Sequence, residues 1–217
     1  MYPIDLSTDR LSLRELTTDD VDAVHALYGN AEATRHLSFE PRTRGQVGGI
    51  VARSMVSAVA QPRTEYALAV CAADGQLIGY ARLALEGQRA AQIGFALHPS
   101  VWGRGLGTEL VTLLLTLGFD HLGLHRVWAA RAPQNDASAA LLRRVGMVEE
   151  GTIRDHVHVA GTWRDSVTHS ILEHEWRAGV SPTTPGDARP RSTDESASDA
   201  GTVETKGKVS KIHLHRG

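Results

Sequence analysis

Lysine is nearly absent from this sequence. Of 217 residues three are lysine against twenty arginines, and all three (Lys206, Lys208, Lys211) fall among the last twelve. Residues 1–200 contain none. This excludes chemistry that turns on a lysine amine. No G-x-x-x-x-G-K-S/T phosphate loop occurs, and neither a Schiff-base aldolase nor a pyridoxal phosphate enzyme finds its amine in the first 180 residues. Cysteine is scarcer still. Cys71 stands alone, so an intramolecular disulfide and a cysteine-rich zinc site are both ruled out. It lies in the apolar stretch Ala67-Leu68-Ala69-Val70-Cys71, where a small buried hydrophobe is expected rather than a nucleophile. No apolar run approaches the ~18 residues of a membrane span, and no charged segment leads into an apolar one at the N-terminus. A cytoplasmic protein with no membrane partner is expected. The net charge of −2 offers no nucleic-acid footprint.

With 41% apolar and 22% charged residues the composition is that of an ordinary globular protein. That composition ends at Ser181. From there to Thr202 no Leu, Ile, Val, Phe, Trp, Tyr or Met occurs, and such a segment buries too little apolar surface to offset its ordering entropy. The expectation is one domain over residues 1–180 and a disordered Ser/Pro/Thr-rich tail over 181–217. No internal repeat is visible.

Within the domain, extended and helical patterns alternate. Leu11 and Leu13 share one face of a strand at 11–16. Thr17 or Thr18 caps a helix through Tyr28, with Asp19, Asp20 and Asp22 at its positive end. Thr43 caps a second helix to about Ala60. Asp74-Gly75 marks a hairpin between strands at 65–72 and 76–85. A strand at 90–98 stops at Pro99, and a long helix follows with Leu106, Leu110, Leu113, Leu114 and Leu117 on one face. A strand at 125–131, a helix at 135–145 closed by Gly146, and strands at 147–154 and 165–172 around Gly161-Thr162 complete the chain. The order β-α-α-β-β-β-α-β-α-β-β predicts an α/β (α+β) domain, with helices flanking a mixed, mainly antiparallel sheet.

Two segments carry chemistry. In the first, strand residues 93–98 run into Trp102-Gly103-Arg104-Gly105-Leu106-Gly107-Thr108-Glu109 and then a helix. A helix N-terminus presents free N–H groups and partial positive charge, and glycines let the backbone approach an anion closely. Arg104 would add charge to the same anion. The physics describes a pyrophosphate cradle. The spacing Gly103-x-Gly105-x-Gly107 is not the dinucleotide G-x-G-x-x-G, and no βαβ unit surrounds it. The glycines would equally permit a tight strand–helix turn and nothing more. In the second segment, a capping Asn135 opens a helix with Ser138 one turn on, and Gly146-Met147 returns the chain to a strand.

Together these segments resemble the GNAT superfamily of acyl-CoA-dependent N-acetyltransferases, and within it the RimJ/RimL-like branch. The matching residues are Trp-Gly-Arg-Gly-Leu-Gly-Thr-Glu at 102–109, Asn-x-x-Ser…Gly-Met at 135–147, Gly-Thr-Trp-Arg-Asp-Ser at 161–166 and Arg-Leu-Ser-Leu-Arg at 10–14. The resemblance spans about residues 8–177. It implies a GNAT-type sheet and acetyl-CoA as co-substrate, without a metal. The main chain of Gly103, Arg104, Gly105, Leu106, Gly107 and Thr108 would hold the pyrophosphate, with Trp102 at the loop entrance. The strand bearing Phe95, Ala96 and Leu97 would splay from its neighbour at 125–131. The pantetheine arm would lie in that gap, bonded by main-chain groups of Phe95 and Leu97 and by Asn135. Many relatives carry an acidic tyrosine where this chain has Leu142. Ser138 would then serve the departing thiolate; its other open role is to bond helix backbone.

The implied reaction is direct attack of a primary amine on the thioester, polarised by a strand amide near Leu97. The amine must first lose a proton. Relatives often carry a glutamate on the preceding strand, but Ala91-Gln92-Ile93 stands here, and glutamine is no base. Histidine suits the task by type, so His98, His156 and His158 are candidates, each with the alternative of an ordinary surface histidine. Asp165 would face the amine, pair with Arg164 or cap the turn. Neither His121/His125 nor His169/His174 makes the zinc pattern H-E-x-x-H, and no G-x-S-x-G elbow occurs. The resemblance points to the α-amino group of a protein or peptide as acceptor. A small-molecule amine such as an aminoglycoside is the rival, since Glu32, Glu40 and Asp155 alternate with Arg35, Arg42 and Arg154 and charge does not decide. A non-catalytic acyl-CoA sensor is the third reading, motivated by the missing tyrosine and glutamate. Exposed strand edges leave room for a homodimer.

Overall fold

The computed structural model describes residues 2–179; the tail expected over 181–217 lies outside the described residues. Eight strands form one sheet: β1 (Asp5–Ser7), β2 (Leu11–Glu15), β3 (Glu65–Ala72), β4 (Leu77–Glu86), β5 (Ala90–Leu97), β6 (Arg126–Arg131), β7 (Val148–Val159) and β8 (Thr162–Leu172). Their spatial order is β1-β2-β3-β4-β5-β6-β8-β7. Every neighbouring pair is antiparallel except β5 and β6. The helices are α1 (Val21–Tyr28), α2 (Ala31–Thr34), α3 (Arg44–Ala58), α4 (Leu106–Thr116), α5 (Asp136–Arg144) and α6 (Glu173–Arg177). The expected mixed, mainly antiparallel sheet with flanking helices is the observed architecture.

Side-chain alternation explains the layers. In β3, Tyr66, Leu68 and Val70 enter the core that also holds Leu110 and Leu114 of α4 and Leu142 of α5. Ala67, Ala69 and Cys71 enter the opposite core with Val24 and Leu27 of α1 and Val47 and Val51 of α3. Both faces of the sheet are therefore covered, and Cys71 is a free, buried thiol in the second layer. Three elements were not expected: β1, α2 and α6, of three, four and five residues. They are too short to show a period. The hairpin β7–β8 also runs further than its sequence pattern, turning at Ala160 and Gly161 with φ of 51° and 75°.

Two contacts fix parts of the fold that matter below. Arg14 of β2 donates from Nη1 and Nη2 to Asp20, 2.8 Å each, and the Thr17 N–H donates to the same carboxylate at 2.8 Å. Burial pushes the Asp20 carboxyl up, but hydrogen bonds from Arg14 and Thr17 outweigh it and hold the group below the usual carboxylate range. This clasp orients α1, which brings Tyr28 to the site. At Gly79, β4 lies so close to its neighbours that an added Cβ would stand 2.6 Å from the Ala96 carbonyl oxygen. No helix among the described residues is long and apolar enough to cross a membrane.

Candidate active site

The parallel pair is incomplete. β5 and β6 are in register only from Ala90 opposite Arg126 to Ile93 opposite Ala129. Beyond that point β5 stays with β4 as far as Leu97, and β6 stays with β8 as far as Arg131. The chain leaves β6 in a turn braced by Arg131, whose Nη1 donates to the carbonyls of Ala132 and Pro133 at 3.2 and 2.8 Å. The His98 N–H donates to the Ile78 carbonyl at 2.8 Å. Alternation then turns the peptide groups of Phe95 and Leu97 into the gap. The Leu97 carbonyl already accepts from the Trp102 indole Nε1 at 2.8 Å.

The glycine turn lies at the open end of this gap. Gly103 and Gly105 have φ of 75° and 78°, a region that side chains disfavour. Gly107 serves packing instead: a Cβ there would stand 2.5 Å from Leu141 Cδ1, so the missing side chain lets α4 approach α5 with Leu141 in its present position. The N–H groups of residues 103 to 107 find no acceptor among the described residues. With the positive end of α4 behind them, they make an anion site. Glu109 would oppose an anion there, but Arg10 donates to it from Nε at 2.9 Å, and the Thr8 hydroxyl also donates to it. Arg10 Nη1 further donates to the Arg104 carbonyl at 3.1 Å. No pattern in the sequence joins Arg10 to a turn so distant along the chain; only the packing of β2 beside α4 does.

A cavity of about 770 Å³ runs from this turn, past Asn135 and Ser138, to the segment 35–39 and the β7–β8 hairpin. Of the residues singled out from the sequence, Phe95, Ala96, Leu97, Trp102, Gly103, Gly105, Leu106, Gly107, Thr108, Asn135, Ser138 and Leu142 border it. Arg104, His98 and Asp165 do not. His98 caps the turn after β5, its Nδ1 lying 2.8 Å from Ser100 Oγ. Asp165 Oδ1 accepts from the Asp155 N–H at 2.9 Å, where the hairpin kinks through φ of 47° at Asp155. Both polar groups serve turns. Asn135 Oδ1 accepts from the Ser138 N–H at 3.1 Å and so caps α5. The Ser138 hydroxyl bonds no described residue, so it is not held by the helix backbone. Leu142 is fully buried and forms apolar wall.

Further residues line the cavity, and two of them, Tyr28 and Tyr80, escaped the sequence reading. Tyr28 and Tyr80 are buried with ring centroids 5.3 Å apart, and burial pushes both phenols up. His156, one of three candidate histidines, borders the cavity with Nδ1 buried and unbonded. His158 instead packs on Trp163 outside it, with ring centroids 5.1 Å apart. Arg164 borders the cavity with Nε buried and unbonded; burial holds it below the usual guanidinium range. Among the described residues no three His, Cys, Asp or Glu side chains converge as metal ligands.

The family model for the Acetyltransferase (GNAT) domain matches residues 10–148. The chain belongs to the GNAT acetyltransferase family. As a GNAT protein it is an N-acetyltransferase that uses acetyl-CoA. It is 32% identical over 177 residues to the uncharacterized N-acetyltransferase YoaA of Bacillus subtilis, covering 80% of this chain and 98% of that one. It is 30% identical over 90 residues to the ribosomal protein uS5-alanine N-acetyltransferase of Escherichia coli, 42% of this chain and 46% of that one. Its GNAT fold superposes on the spermidine N-acetyltransferase of Vibrio cholerae in complex with CoA and spermine, with TM-score 0.69 and 23% identity, covering 79% of this chain and 99% of that one.

Proposed function

We propose that this enzyme is RimJ/RimL-like and acetylates the α-amino group of a protein or peptide by direct attack within a ternary complex. The observation that carries the site assignment is the open end of the β5–β6 pair beside five unbonded N–H groups. Acetyl-CoA supplies the activated acetyl thioester. The residues fit it: a Cβ at Gly103 or Gly105 would meet the strain of a positive φ, and the gap offers the peptide groups of Phe95 and Leu97 to an amide-bearing arm. The main chain from Gly103 to Thr108 would hold the pyrophosphate. Asn135 would donate from Nδ2, since its Oδ1 caps the helix. The Leu97 N–H, unlike its carbonyl, is uncommitted, and would polarise the thioester carbonyl.

Ser138, with its free hydroxyl, would meet the leaving thiolate in place of the tyrosine that Leu142 displaces. His156, the candidate histidine on the cavity wall, would take the amine proton. Similarity to the uS5-alanine enzyme supports an α-amino acceptor. So do Arg35 and Arg164 at the far end, which oppose a polycation. The spermidine reading draws on the likeness to the Vibrio cholerae enzyme and on Glu32 and Asp136 at the rim. Thiol release measured against amino-terminal peptides, spermidine and an aminoglycoside decides; faster turnover of either polyamine overturns the peptide reading. Acetyl-CoA binding without turnover of any amine would make the protein a sensor. Ser138→Ala is expected to lower kcat about 10- to 100-fold with little change in acetyl-CoA affinity, and His156→Gln to lower kcat/KM by at least about 100-fold. Unchanged rates remove those roles.

A further inference from the structure

We infer that the acceptor carries a carboxylate beside its reacting amine, and that Arg164 with Arg35 receives it. This rests on the acetyl-transfer reading of the same cavity. Five arginines line the cavity. Arg144 is exposed and has no side-chain partner among the described residues, as an open surface residue needs none. The other four fall into two groups. Arg82 is paired with Glu65 at 2.8 Å, and Arg131 with Glu149 at 3.2 Å and with the Pro133 carbonyl at 2.8 Å. The side chains of Arg164 and Arg35 have no ion-pair or hydrogen-bond partner among the described residues. For Arg164 this is anomalous, because its Nε is sealed from solvent. Arg164 as a whole is half-exposed, but a guanidinium offers five N–H donors in a planar fork and keeps its charge, so sealing its Nε without an acceptor is costly. A carboxylate entering the cavity supplies what is missing, in the geometry the fork prefers.

The protein's own carboxylates do not fill this role. Glu32 and Asp136 are exposed, and each lies in the first turn of its own helix, where negative charge is favoured by the helix dipole. Neither comes within ion-pair distance of an arginine. His36 borders the same end; burial, Arg35 and Arg164 hold its imidazole below the usual range against an opposing effect of Asp136. Its protonation is thus disfavoured by burial and by these two cations. This end is distinct from the glycine turn. Leu141 packs at Gly107, whereas Asp136, which acts on His36, lies roughly 7.5 Å back along α5. The unsatisfied cation groups with His36 and Asp136 rather than with the glycine turn, and so is assigned to the acceptor.

The test compares acceptors that differ by one charge, each rate being referred to the fraction of acceptor whose amine is neutral at the assay pH. One pair is two amidated tetrapeptides with aspartate or asparagine at the second position; the other is free alanine and alaninamide. Acetyl-CoA binding is first measured by calorimetry, and its absence would defeat the acetyl-transfer reading itself. With binding present, kcat/KM is expected to favour the acidic member at least tenfold in one pair. Preference in the peptide pair places the carboxylate on a chain, preference in the alanine pair on a small molecule. Arg164→Gln should bring the ratio close to one, Arg164→Lys should restore part of it, and the exposed Arg154→Gln should keep the wild-type ratio. Melting temperatures identify variants that fail to fold, and Arg35→Gln then serves as the second probe, expected to reduce the ratio. Equal use of both members, a preference for the neutral one, or an Arg164→Gln enzyme that keeps the ratio would overturn the inference.

Discussion

Gly105→Asp is expected to weaken acetyl-CoA binding about 100-fold or more, read by calorimetry, while the protein stays folded. The backbone at Gly105 has φ of 78°, and nothing but Arg10 Nη2, at 3.8 Å, lies near the position of a Cβ. There is room for a side chain, and aspartate is among the residues that tolerate this left-handed conformation best. The damage is electrostatic. A carboxylate about 5 Å from a phosphate charge, at an effective dielectric constant of about 20, is repelled by roughly 3 kcal/mol, which is about 100-fold in affinity. Gly105→Asn has the same shape and the same backbone demand but no charge. It should lose far less, and the difference between the two variants measures the anion. Equal losses would show strain alone, and undiminished binding by Gly105→Asp would remove the phosphate from this turn.

Gly79→Ala is expected to destabilise the protein by about 2–4 kcal/mol and to lower the melting temperature by roughly 5–15 °C. The added methyl would stand 2.6 Å from the Ala96 carbonyl oxygen and from Leu97 Cδ2, and 3.3 Å from Val70 Cβ. The first of these is strand backbone and moves only if β5 moves. Because β5 is one wall of the cavity, the same variant should raise the KM for acetyl-CoA. Gly87→Ala is the control, since no atom lies within 4 Å of its added Cβ. Thermal unfolding of the two variants side by side checks the argument; a Gly79→Ala protein as stable as Gly87→Ala would refute it.

The sheet and the glycine turn were legible because each is written locally. Alternation in Tyr66–Cys71 marks β3, Asp74-Gly75 marks the hairpin, and the Leu106–Leu117 stripe follows the turn without a break. The acceptor end was legible only in part, through His156, Glu32 and Arg35. Tyr28, Tyr80 and Arg164 come from α1, β4 and β8, and each sits in a pattern that an ordinary core or hairpin would show. His98 and Asp165 lie off the cavity wall, in the turn-capping role that the sequence also left open for Asp165. Their residue type suits acid–base work, but a histidine before Pro99 and an aspartate beside a strand kink are both placed to satisfy backbone N–H groups. Arg10 belongs to neither case, because its meeting with Glu109 depends on the position of β2 beneath α4.

The incomplete β5–β6 pair has a thermodynamic consequence. It divides the sheet into a block of five strands and a block of three, held in direct register over four residue pairs. A molecule lying in the gap acts as the missing strand between the blocks, so its binding energy is also folding energy. A ligand at one hundred times its dissociation constant adds about 2.7 kcal/mol to the stability of a protein that binds it only when folded. The supply of acetyl-CoA would then set how long this enzyme survives thermal opening and proteolysis, in addition to how fast it works.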